Sequence, residues 1–196
     1  MLICCKISDD SALLQHALSL CSAKRQMRVE RIRKKEKQSQ SITAGLLLRY
    51  CLLKSGYDDS DISLSEGGKP YIEGDPIYFS LSHSGEYAAC ITDENPVGID
   101  IQRIVKIKDR TLTRFCTEKE AEYLSKSKDA DTDAVKLWTL KESYLKASGC
   151  TTAEAFAAEF SFDNNGDITG PSGFDFELSY EINGYVVAVC RKQCRV

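Results

Sequence analysis

The residues of this chain whose types and spacing could do chemistry are a few acids, lysines and one histidine. Asp100 stands in Val97-Gly98-Ile99-Asp100-Ile101-Gln102, where apolar residues alternate with small or polar ones. Period two predicts a strand with Val97, Ile99 and Ile101 in a core and Gly98, Asp100 and Gln102 together on the other face. An acid beside a glycine on that face is a place to hold something. Trp138, Glu142 and Lys146 recur every four residues and form one stripe of a helix. Glu142 and Lys146 also read as an exposed ion pair contributing about 0.2–0.5 kcal/mol. Glu120 follows Thr117 at the spacing of a capping box, a sufficient structural reason for an acid there. Ser82-His83-Ser84-Gly85 gathers hydroxyl donors and an imidazole in a turn, with no second partner for a triad or a metal site, since His16 lies in the first helix.

The elements that must position these residues follow from pattern. Residues 1–7 read as a strand and 11–20 as a weak helix. Residues 24–37 hold Lys24, Arg25, Arg28, Arg31, Arg33, Lys34, Lys35 and Lys37 against only Glu30 and Glu36. Arg28, Arg31 and Lys35 are expected on one helical face, either as a solvated face or as a phosphate-binding stripe. Residues 41–54 form a strongly periodic helix closed by Gly56, with Ser41 just before it as a candidate for a helix N-terminal anion site. Gly67-Gly68-Lys69-Pro70 is a turn, and residues 78–82 and 87–92 make a hairpin. Helices are predicted over 117–124 and 134–148, the latter capped by Gly149, and strands with intervening turns over 160–190. A helix followed by a hairpin, 41–91, is echoed by 134–190. The expected fold class is therefore α+β, with two similar α+β halves, 1–96 and 97–196, forming a pseudo-twofold monomer with a site at their interface.

Composition narrows the classes. With 196 residues and 42% hydrophobic content the chain can bury a core, and a net charge of −3 gives no global field for nucleic acid or membrane. Nine cysteines, without a Cys-x-x-Cys pair, read as buried thiols of an intracellular protein. There is no signal-peptide pattern and no apolar run long enough for a bilayer, so the expected location is the cytoplasm.

In order and approximate spacing, Lys69-Pro70, Phe79 to Ser84, Gly98-Ile99-Asp100-Ile101, Phe115 to Glu120 and Trp138-x-x-Lys141-Glu142-x-x-x-Lys146 resemble the Sfp-type 4′-phosphopantetheinyl transferases. The resemblance covers residues 24–149. It implies an enzyme that uses Mg²⁺ and moves the phosphopantetheine arm of coenzyme A onto a serine of an acyl or peptidyl carrier protein. It further implies Asp100 and Glu142 as metal ligands with Gln102 beside them, Lys146 on the diphosphate, and Glu120 as base, directly or through a metal-bound water. Arg28, Arg31, Lys69, Ser82 and His83, with Ser41, would hold the coenzyme A phosphates. Many members read Gly-Ile-Asp-Ile-Glu where this chain has Gln102, a loss of one anionic ligand. Competing classes are a noncatalytic coenzyme A-binding relative, an RNA-binding module using residues 24–37, and a Ser-His hydrolase. The RNA reading lacks interleaved aromatics, and the hydrolase reading lacks an orienting third group.

Overall fold

The computed structural model describes residues 1–64, 70–74, 77–163 and 165–193. The chain divides into two compact units, Met1–Glu94 and Asn95–Val196.

The first unit contains β1 (Leu2–Lys6), α1 (Ser11–Ser19), α2 (Ala23–Glu30), α3 (Lys35–Lys54), β2 (Ile62–Leu64), β3 (Pro70–Ile72), β4 (Tyr78–Ser84) and β5 (Tyr87–Asp93). Strands β1, β5 and β4 form an antiparallel sheet with β5 in the middle. Helix α3 lays Ala44, Leu47, Leu48, Cys51 and Leu52 at helical spacing against Phe79, Ala88 and Cys90. Its first half packs on α1 and α2 through Ile42, Ala17 and Val29.

That second contact corrects two expectations. Residues 24–37 are not one helix: α2 ends at Glu30 and the chain turns before α3, which brings Val29 back onto Ile42. Arg28 and Lys35 therefore lie on different helices, and Arg31 lies just past the end of α2. Helix α3 also begins at Lys35 rather than beside Ser41, so Ser41 is inside the helix with its N–H in the helical ladder. The anion-binding argument from a helix N-terminus does not apply to it.

The second unit contains β6 (Val97–Arg103), α4 (Asp109–Phe115), α5 (Glu118–Lys126), α6 (Ala130–Ser148), α7 (Thr152–Ala157), the small hairpin β7 (Ser161–Phe162) and β8 (Ile168–Thr169), β9 (Phe174–Ser179) and β10 (Tyr185–Lys192). The sheet β6-β10-β9 is antiparallel with β10 in the middle. Helix α6 lies on β6 and β10 and ends at Gly149, whose left-handed φ of 70° favours a residue without a Cβ. Phe115, Leu124, Leu137, Leu140, Phe160 and Ala188 form the core.

The class is α+β, as the sequence predicted. Each unit sets its longest helix against a three-stranded antiparallel sheet whose last strand is central. No helix among the described residues is long and apolar enough to cross a membrane.

Candidate functional site

The site begins with how closely β6 and α6 approach. Val97, Ile99 and Ile101 are buried as the alternation requires, but the opposite face is not an open gap. A Cβ built on Gly98 would lie 1.9 Å from the Ser143 carbonyl oxygen and 2.7 Å from the Ala147 nitrogen. The space that the sequence suggests for a ligand is taken by helix backbone. Glycine is required because it lets the helix touch the strand.

That contact sets the register of the charged groups. One turn along α6, Lys146 Nζ donates to Ile99 O at 2.9 Å and to Asp100 Oδ1 at 2.8 Å. Asp100 is 3% exposed, and its Oδ2 accepts from Gln102 Nε2 at 3.3 Å. Glu142 lies half-buried one turn before Lys146. Burial first, and then the charge of Asp100, push the Glu142 carboxyl above its usual range, while Lys146 pulls it back. Asp100, Gln102, Glu142 and Lys146 are thus neighbours.

Two carboxylates repelling one another in a half-buried place suit a cation. Among the described residues no group of three or more His, Cys, Asp or Glu could hold a metal ion. The donors near Asp100 are oxygens and an amide, without the thiolates or imidazoles that zinc favours. They fit a hard ion such as Mg²⁺, which is usually held by one or two carboxylates with water and substrate phosphates completing its shell. Gln102 turns its amide nitrogen, not its oxygen, toward Asp100, so it would have to flip to serve as a ligand.

Glu120 is placed differently. Thr117 Oγ1 and the Glu120 side chain form the predicted capping box at the start of α5. The same carboxylate, 1% exposed, pairs with Lys141 Nζ at 2.8 Å and accepts from Phe160 N at 2.9 Å. Both oxygens are engaged inside the unit. Sequence reasoning missed Lys141 as its partner, because the pair spans two helices and leaves no local pattern.

In the first unit, β4 runs through Ser84, so His83 is on the strand and not in the turn. Ser82 is opposite Ala89 and His83 opposite Ala88, and Gly85 turns the hairpin at φ 51°. Gln40, 2% exposed on α3, supports that turn by donating from Nε2 to Gly85 O at 3.1 Å. Ser41 is buried beside it. Arg28 and Arg31 are both exposed. Lys69 lies outside the described residues.

Sequence reasoning also passed over Arg25. Its half-buried side chain packs across Gly45 of α3, where a Cβ would come within 2.9 Å of Nε. Burial and then the charge of Arg28 pull its guanidinium below its ordinary value. No carboxylate forms an ion pair with it among the described residues, whereas Arg49 in the same unit is paired with Asp58 and Asp59. A guanidinium half-buried beside another cation is suited to an anion. The available signal was Gly45, an unfavourable residue in the middle of an otherwise strong helix.

Comparison with known proteins bears on the family of the chain. The 4′-phosphopantetheinyl transferase superfamily profile matches residues 96–190. The 4′-phosphopantetheinyl transferase Sfp of Bacillus subtilis (strain 168) is 31% identical over 185 residues, covering 88% of this chain and 83% of that protein. The transferase gsp of Aneurinibacillus migulanus is 42% identical over 87 residues, 43% of this chain and 36% of that protein. Among solved structures, the holo-ACP-synthase of Plasmodium yoelii has a TM-score of 0.43 at 13% identity, covering 51% of this chain and 95% of that chain. Identity of 31% sustained along 83% of a relative's length settles the kinship: the chain belongs to the 4′-phosphopantetheinyl transferase family.

Proposed function

We propose that this transferase moves the 4′-phosphopantetheine arm of coenzyme A to a serine of an acyl or peptidyl carrier protein, releasing 3′,5′-ADP. The observation behind this reading is the grouping of Asp100, Glu142 and Lys146 where β6 crosses α6. Asp100 and Glu142 would hold Mg²⁺, which when bound neutralises charge on the diphosphate during transfer. Lys146, its ammonium already aligned on Asp100, stands where it can donate to diphosphate oxygens and stabilise the leaving group. Arg25 and Arg28, with Ser82 and His83, would supply cations and hydrogen-bonding groups for the phosphates of coenzyme A. Arg31, beyond the end of α2, belongs to a wider positive surface that would attract a polyanion, and Lys69, outside the described residues, is proposed for the same ligand on its sequence motif alone. A direct role as base for Glu120 finds no support in its buried, ion-paired carboxylate.

The carrier would dock along 104–115. Arg103, Lys106, Lys108 and Arg110 are exposed there, around Val105 at 53% exposure. Phe115 anchors this segment edge-on against Trp138 with ring centroids 5.1 Å apart. The chain is proposed to act as a monomer in the cytoplasm.

The test is to incubate the protein with coenzyme A, Mg²⁺ and several apo-carriers and weigh the products. A mass gain of one phosphopantetheine arm is expected, and its loss in Asp100→Ala and in Glu142→Ala. Full transfer by both variants would refute the site. No gain on any carrier, with coenzyme A still bound, would favour a noncatalytic binding module.

A further inference from the structure

We infer that Lys141 is a positioning residue for the transfer site and that Glu120 serves as its counter-ion, not as acceptor of the carrier serine's proton. The inference rests on the transferase reading above.

Lys141 is fully buried, at 0% exposure, one residue before Glu142. An ammonium has three protons to donate, and three partners take them. Nζ donates to Phe156 O at 2.8 Å, to Ala158 O at 2.6 Å and to Glu120 Oε2 at 2.8 Å. Glu120 is closed from its other sides. Its Oε2 also accepts from Thr117 N at 2.8 Å, and its Oε1 accepts from Phe160 N at 2.9 Å. These donors take three of the carboxylate's roughly four acceptor positions, and with Glu120 1% exposed the remaining one has no opening to a substrate hydroxyl. Taking up a proton would leave the Lys141 ammonium buried without a counter-charge, an arrangement strongly disfavoured in a low-dielectric interior.

The pair has a visible positional task. Lys141 ties α6 to the end of α7 and to residues 158–160, while Glu120 ties the same point to the start of α5. The Phe160 ring lies 6.0 Å from the ammonium and packs edge-on against Phe176 of β9. Successive residues on a helix point about 100° apart, so Lys141 holds α6 on a different side from the Gly98 crossing. Fixed on two sides, the helix cannot roll, and Glu142 and Lys146 keep their bearing on Asp100.

The test compares variants in the carrier-loading assay, at a temperature where each is folded by circular dichroism. Lys141→Met alone should lower the melting temperature and reduce kcat, with the KM for coenzyme A little changed. The double variant Glu120→Leu/Lys141→Met replaces a buried pair by apolar groups of similar size, which folds commonly tolerate. It should recover the melting temperature and bring kcat to within about tenfold of the parent. Removing a general base costs about 10²–10⁴-fold. A double variant with parental melting and coenzyme A affinity but a kcat still lowered by that much would overturn the inference.

Should that variant not fold, the parent protein provides a second measurement. It would be treated with a carbodiimide and an amine in the presence of coenzyme A, Mg²⁺ and a carrier whose acceptor serine is alanine, and then mapped by mass spectrometry. Glu120 should stay unmodified throughout, and its modification in the assembled complex would overturn the inference. Failure of the parent to load any carrier would instead count against the transferase reading.

Discussion

Replacing Gly98 by alanine should be among the most damaging single-methyl additions to the second unit. The added carbon would sit 1.9 Å from Ser143 O, 2.7 Å from Ala147 N and 3.0 Å from Lys146 Cβ. The first two are backbone atoms of a 19-residue helix and cannot rotate away. Strand and helix must therefore separate by something over 1 Å, and overpacking of this kind costs about 1–3 kcal/mol. With rigid backbone on both sides the upper end is expected, a fall in Tm of about 6–12 °C for a chain of this size. The separation also draws Asp100 from Lys146, and a misplacement of about 1 Å can cost roughly 10²-fold in rate. Thermal melts and carrier-loading rates measure the two effects. Gly184→Ala is the control: its φ of 77° makes alanine strained, but nothing lies within 4 Å of the new carbon. It should lose about 1–2 kcal/mol, the left-handed penalty, and leave kcat unchanged. If Gly98→Ala melted and turned over like the parent, the tight crossing could not be what aligns Asp100.

Three further outcomes are expected. Because burial and Asp100 raise the Glu142 carboxyl, the metal-free folded state holds that proton more tightly than the unfolded chain. The resulting stability is present below the unfolded value, about pH 4.3, and is lost as pH rises through the folded one. Glu142→Gln in chelator should then melt higher than the parent at pH 8, with the gap closing below about pH 4; a lower melt at pH 8 would contradict the shift. Gln102→Glu, which adds a carboxylate beside Asp100, should move the Mg²⁺ dependence of loading to lower concentration, and an unchanged titration would argue against a metal at Asp100. Arg25→Ala should raise the KM for coenzyme A about tenfold or more, the size of a lost charge-assisted hydrogen bond, with kcat nearly constant; an unchanged KM would remove Arg25 from the phosphate site.

Much of the second unit was legible because its signals are local. The alternation of 97–102, the Thr117–Glu120 spacing and Gly149 each specify their element without distant help. Helix α7 could have been read the same way from Thr151 and Glu154, which form another capping box. The start of α3 could not, because Lys34 at its N-cap offers no side-chain acceptor. The turn between α2 and α3 contains neither glycine nor proline and follows from Val29 meeting Ile42. The candidate site divides along the same line. Spacing places Asp100 on one strand face and Glu142 and Lys146 on one helix stripe, and only the resemblance to a known family joins them, whereas the closure of β6 by α6 and the partnership of Glu120 with Lys141 depend on residues more than twenty positions apart.

Helix α6 also limits how the chain can change in length. Lys141 and Glu142 are adjacent in sequence yet face different surroundings, one closed among carbonyls and the other beside Asp100. Deleting Tyr144 or Leu145, which lie between Gly98's contact at Ser143 and Lys146, would swing Lys146 by about 100° relative to Glu142. The ammonium would then be turned away from Asp100 while the Glu142 carboxyl kept its place. Insertions are far cheaper at the tip of the turn joining β9 to β10, around exposed Glu181 and Asn183. Relatives of this chain should therefore differ in the lengths of such connections while the count of residues along α6 stays fixed.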